Sequence, residues 1–220
     1  MNELKSSKQK NRKIILIVLS VITVLLVLLT VAYFILSAIA SREPDYGYEF
    51  YAPVWDSEKM EYGPDWSTTL SDITSEEDYA ETGWYITYVN DMGEAVMILD
   101  DDYLRHGIGV EYLSYYFAAI QAGDHETYNA MFGDEYYKDH KPVDEFTPQR
   151  IYDITVRLLN EAELDDETDV INYEISYKIM RNDGTFRRDI GSDMARTQYL
   201  TVTVTTDDIY ISGLTSVFAK

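Results

Sequence analysis

The stretch Ile171-Asn172-Tyr173-Glu174-Ile175-Ser176-Tyr177-Lys178-Ile179 decides the fold. Apolar residues at every second position give the period of a strand with one face buried and one in water. Asn182-Asp183-Gly184 supplies a turn beyond it, and Thr185–Arg188 is expected to continue the return strand. Tyr199–Thr205 and Ile209–Leu214 read as two more strands around Thr206-Asp207-Asp208. Upstream, Tyr152, Ile154, Val156 and Leu158 alternate with Asp153, Thr155 and Arg157. Thr147-Pro148 offers the competing signal of a helix start, whose face would be Ile151, Ile154 and Leu158. Alternation and β-branching favour the strand. The C-terminal half is therefore a β-meander of about four strands joined by short links.

Before Thr147 the period changes. Leu113, Tyr116, Phe117 and Ile120 fall at i, i+3, i+4 and i+7 within Val110–Ala122, one stripe of an amphipathic helix. Gly123 suits a left-handed C-terminal cap, and Asp124 can cap a second helix across Glu126–Met131. That helix turns Tyr128, Met131 and Phe132 to one side. Earlier still, Trp84–Val89 and Glu94–Leu99 flank Asn90-Asp91-Met92-Gly93, a hairpin signal. Helices grouped before a run of strands predict an α+β domain.

The segment from Tyr115 to Tyr128, YYFAAIQAGDHETY, resembles the opening of the NTF2-like superfamily, in which a first helix ends in a small-Gly-Asp corner and a short second helix follows. The strand-rich stretch Tyr152–Val217 is similar to the curved antiparallel sheet that wraps those helices. The likeness covers about half the chain and implies a cone-shaped fold. It implies no activity, because one fold hosts enzymes, assembly subunits and interaction domains. Single-span proteins with an exported domain of this kind occur in conjugation and secretion machines and on Gram-positive surfaces.

Ile14–Ala40 is an apolar run without a charged residue, longer than the roughly 20 residues a spanning helix needs. Lys5, Lys8, Lys10, Arg12 and Lys13 precede it, against one acid, Glu3, while Arg42 is the only basic residue close behind it. The positive-inside rule then keeps the N-terminus in the cytoplasm and exports the rest. Ala38-Ile39-Ala40 also reads as a signal-peptidase site, although a signal's apolar region is typically about 7–15 residues. The expected organisation is a cytoplasmic tail (1–13), a transmembrane signal-anchor (14–40), an acidic spacer (41–80) and an extracytoplasmic α+β NTF2-like domain (81–220). The formal charge is −21, and the basic tail leaves −25 for everything beyond it, which excludes nucleic acid as a partner. Without cysteine, the exported part relies on its core rather than on disulfides.

The spacer is broken by Pro44, Pro53 and Pro64 yet rich in rings: Tyr46, Tyr48, Phe50, Tyr51, Trp55, Tyr62 and Trp66. Disordered linkers are poor in aromatics, so these rings either pack along the domain or form a contact surface for glycan or protein. Tyr46, Tyr48, Tyr51, Trp55, Tyr62 and Trp66 are the candidates for the second role.

No phosphate-cradling glycine loop, nucleophile elbow or cysteine nucleophile occurs. His106, His125 and His140 lack the spacing of a metal site, and no cofactor is expected. Glu163, Asp165, Asp166, Glu167 and Asp169 form an acidic loop between two strands without calcium-loop spacing, and read as a solvated hairpin tip. In so acidic a domain, Lys178, Arg181, Arg187, Arg188 and Arg196 stand out. They either pair across strands with Glu174, Asp183, Asp189 and Asp193, or form an anion or partner patch. The sequence thus favours a non-enzymatic, membrane-anchored protein with a protein partner in the envelope. A binding module for a small apolar ligand or wall glycan is the alternative, ahead of a cone-pocket enzyme.

Overall fold

A computed structural model describes residues 21–34, 47–50, 54–56, 61–63, 85–99 and 102–216. The chain divides into two compact units, Met1–Asp45 and Tyr46–Lys220. In the first, residues 21–34 are helical with every side chain exposed. The remainder of the expected 14–40 span lies outside the described residues. Among the described residues no helix is long and apolar enough to cross a membrane.

The second unit is α+β. Short strands β1 (Val54–Asp56) and β2 (Glu61–Gly63) form a two-stranded sheet in the region read as spacer, with Trp55 opposite Tyr62. The main sheet has six strands: β3 (Ile86–Val89), β4 (Ala95–Ile98), β5 (Arg150–Asp165), β6 (Thr168–Met180), β7 (Gln198–Thr205) and β8 (Ile209–Ser216). Their spatial order is β4-β3-β5-β6-β7-β8. Between β4 and β5 come a 3-10 turn at Tyr103–His106, helix α1 (Ile108–Ala122), helix α2 (His125–Ala130) and a second 3-10 turn at Tyr136–Lys138.

The α1–α2 corner follows the sequence closely. Gly123 adopts φ +69°, and its N–H bonds back to the end of α1. The Asp124 carboxylate accepts from the Thr127 N–H and hydroxyl and caps α2. Val110, Leu113, Tyr116, Phe117 and Ile120 turn inward and meet one face of the sheet: Ile154 and Val156 of β5, the alternating Ile171–Ile179 of β6, Leu200 and Val202 of β7, and Ile211 of β8. One contiguous core results.

Two sequence expectations need correction and a third is sharpened. The sheet is mixed, since β3 runs parallel to β5 with Ile86 opposite Ile154. The chain leaves the β3–β4 hairpin, crosses through both helices and re-enters beside β3 in the same direction, as a parallel pair requires. Thr185–Arg188 is not a strand. The Gly184 and Thr185 N–H groups donate to the side chains of Asn182 and Asp183, while the Asn182 amide donates to the carbonyls of Arg187 and Ile190. These side-chain bonds fold the backbone into turns and remove it from the ladder. Finally, the acidic run is an exposed hairpin tip, as read, but a tighter one than its five acids suggest. Strand β5 continues to Asp165 and β6 starts at Thr168, leaving only Asp166 and Glu167 as the turn.

Thr147-Pro148 starts no helix, and the strand reading of the following residues holds. Asp153, at φ 51°, sits where the β5–β6 register slips between Tyr152 and Thr155, a bulge that bends β5.

Candidate functional site

A connected group of polar side chains lies in the interior of the domain. Helix α1 brings in Tyr116, α2 brings Tyr128, and β6 brings Tyr177, all buried. The Tyr116 and Tyr128 hydroxyls stand 3.4 Å apart. Arg187, folded inward by the turns after β6, places Nη1 2.9 Å from Gln198 Oε1 and 3.4 Å from the Tyr177 hydroxyl. Its other edge grips Asp189 in a two-bond fork, Nε to Oδ1 at 2.7 Å and Nη2 to Oδ2 at 2.5 Å. Arg196 completes the chain from outside, with Nη1 3.0 Å from Asp189 Oδ2 and 2.7 Å from its carbonyl.

The electrostatics follow from burial. Desolvation pushes the phenols of Tyr116, Tyr128 and Tyr177 above their ordinary value. Burial works against ionised Asp189, but bonds and charge from Arg187 and then Arg196 outweigh it and hold the carboxyl below the usual range. Burial likewise opposes the Arg187 charge, and Tyr177 and Asp189 overcome it. At neutral pH these are neutral phenols and a fixed ion pair. The three phenols are buried and the hydrogen bonds of the cluster tie α1 to α2 and β6 to the segment after it.

The five basic candidates are not gathered on one surface. Arg181 and Arg187 are buried, and Arg196 is 17% exposed and bound to Asp189. Lys178 bridges Asp153 at 2.7 Å and lies over the Tyr152 ring, while Arg188 Nε donates to the Gly184 carbonyl. Among the aromatic candidates, Tyr48 packs on Gly191, where an added Cβ would stand 3.0 Å from its ring. Its neighbour Phe50 lies as closely over Gly184. Trp55 and Tyr62 pair across β1–β2, and Tyr46, Tyr51 and Trp66 lie outside the described residues.

His140 stacks on Tyr136 at 4.1 Å, His106 lies against Tyr88, and His125 opens α2. Among the described residues no group of histidines and carboxylates could hold a metal ion.

Two surface features were not anticipated from sequence. A shallow apolar cleft of about 190 Å³ is lined by Ile86, Tyr103, Ser114, Tyr115, Ala118 and Gln121. The second is the β4 end of the sheet, beyond which no strand lies among the described residues and where Met92, Val96, Met97 and Leu99 are exposed. The signal for it was the uninterrupted apolar run Ala95–Leu99. No protein family, curated protein or solved structure matches this chain.

Proposed function

We propose that this is a single-pass, membrane-anchored protein whose exported NTF2-like domain is an interaction module, a component of an envelope, secretion or conjugation assembly. The observation that carries the non-catalytic reading is the filled interior. In a cone of helices on a sheet the inner face is where a reaction pocket would sit, and here Tyr116, Tyr177, Leu113, Ile120 and Ile175 occupy it with no exposure above 0%. The polar groups there bond to one another. The α1–α2 corner and the one-sided packing of helices on a bulged sheet support the NTF2-like reading. The uncharged run Ile14–Ala40 behind five basic residues supports the anchor and its orientation.

The absence of native cysteine makes topology directly testable. Single substitutions Ser7→Cys and Asp166→Cys, one in the tail and one at the β5–β6 turn, are labelled in intact cells with an impermeant maleimide. Labelling of Asp166→Cys alone, with the chain in the membrane fraction, is expected. Labelling of Ser7→Cys alone, or recovery in the soluble fraction, overturns the reading.

The cleft beside α1 favours a second reading, binding of a small apolar ligand. It falls below the roughly 300–1,000 Å³ of ordinary ligand sites. Quenching of the three tryptophans by wall fragments or apolar ligands would raise it.

A further inference from the structure

The two edges of the main sheet are treated differently. At β8 the ladder is continued by the segment after α2: Ile211 N–H donates to the Met131 carbonyl at 2.8 Å, Gly133 N–H donates to the Ile211 carbonyl at 3.1 Å, and Phe132 bridges Ile211. At the other end, β4 pairs with β3 and, among the described residues, with no second strand. An edge strand presents backbone donors and acceptors outward, and natural edges are normally blunted by charge, proline or a bulge. Ala95-Val96-Met97-Ile98-Leu99 contains none of the first two, and its register with β3 is continuous. Val96 is 44% exposed, Met97 55% and Leu99 62%, and Met92 at the turn is 75% exposed. Only Ile98 is drawn into the core.

The surroundings give the partner its chemistry. Asp91 and Glu94 stand exposed at the turn end of the hairpin, and Glu161 is near enough to act, with Asp91 and after burial, on the Tyr88 phenol. Asp102 lies past the other end. Among the described residues, Arg105 pairs with Asp102 at 2.9 Å and Arg157, opposite Val89 on β5, with Glu174 at 3.5 Å. A second copy of the chain would bring the same acids to both ends of an antiparallel β4–β4 pair, and like charge opposes that docking.

We propose that the open edge of β4 receives an extended segment of a partner protein carrying alternating apolar and basic residues, which adds a seventh strand to the sheet. Backbone hydrogen bonds supply the register-independent part of the attraction, the exposed Val96 and Met97 side chains contact alternate residues on the two faces, and the exposed Asp91 and Glu94 at the turn end select Lys or Arg. This names the partner class for the interaction module proposed above and rests on that reading.

The probe is a nonapeptide alternating Lys and Val, added to the full chain in detergent micelles while hydrogen exchange is followed across Ala95–Leu99. Matched peptides carry Glu in place of Lys, or Pro at the centre. The Lys peptide is expected to slow exchange about tenfold. The Glu and Pro peptides should not, and 1 M salt, with a Debye length of about 3 Å, should weaken the effect. Met97→Lys changes an exposed side chain and should leave the melting temperature unaltered while abolishing protection. Equal protection by the Glu peptide overturns the charge argument. Slow exchange without any peptide overturns the open edge, because another part of the chain or a second copy then covers it. If the chain retains an envelope partner while β4 gains no protection, the edge inference falls and the interaction reading stands. If nothing is retained, both fall.

Discussion

Raising the pH is a sharp test of the interior. Tyr116, Tyr128, Tyr173 and Tyr177 are at most 4% exposed, and burial raises all four phenols. A folded pKa above the unfolded value contributes stability that is complete below about pH 10 and is lost as pH climbs toward the folded value. At pH 11 an unfolded phenol of pKa about 10 gains about 1.4 kcal/mol by ionising, which a buried one cannot. Four such groups make about 5–6 kcal/mol, comparable with the whole stability of a typical domain at about 5–15 kcal/mol. Tyrosinate absorbance and far-ultraviolet dichroism, followed together, should show two phases. Exposed phenols ionise first with the fold intact, and the buried ones ionise only with cooperative unfolding near pH 11. Tyr116→Phe keeps the ring and should move that transition upward. Ionisation of all 20 tyrosines in one phase near pH 10, with dichroism unchanged, would refute the closed interior.

Other substitutions probe single contacts. Arg187→Met strands the Gln198 carbonyl and half of Asp189's bonding, and should cost about 3 kcal/mol in urea unfolding, the low end for a broken buried pair because Arg196 remains. Asp189 has a lowered folded pKa, so its contribution is present above about pH 4 and lost as pH falls through the folded value; Asp189→Asn should flatten the acid limb of the stability profile. Gly123→Ala puts a Cβ 2.6 Å from the Pro148 backbone nitrogen at a positive φ, and should lower stability by more than about 2 kcal/mol in a thermal melt. Asn129→Ala leaves the N–H and carbonyl of Val143 without the side-chain amide that meets both at 2.8 Å, a loss of about 1–3 kcal/mol by the same assay.

Local chemistry made part of this structure legible in advance. The α1–α2 corner could be read because periodicity, the Gly123 cap and the Asp124 cap agree. The β6 and β3–β4 segments could be read because one face is buried or the turn is short. The far half of β5 could not: Asn160-Glu161-Ala162-Glu163-Leu164-Asp165 is exposed on both faces, its only apolar residues being Ala162 and Leu164, and it is extended because β6 pairs with it. The arginines misled for a different reason. Sequence shows that Arg187 is charged, but its place beneath Tyr177 depends on turns made by Asn182 and Asp183, whose bonds have no periodic signature. The same turns gather Thr147, Gln149 and Thr185 around the Asp183 carboxylate, a buried polar knot between segments more than thirty residues apart.

The parallel pairing of β3 with β5 also sets an order of assembly. Ile86 meets Ile154 only after the 67 intervening residues exist, whereas β7 and β8 meet across a tight turn. Closing the longer loop costs roughly 2–3 kcal/mol more in chain entropy, so the β3–β4 hairpin is the last piece of the sheet to dock. It is also made before the rest of that sheet, since synthesis begins at the N-terminus. A nascent chain therefore carries Ala95–Leu99 unattached until the helices and β5 arrive. Glu94 and Asp100, standing at either end of that apolar run, are placed to keep it from aggregating in the interval.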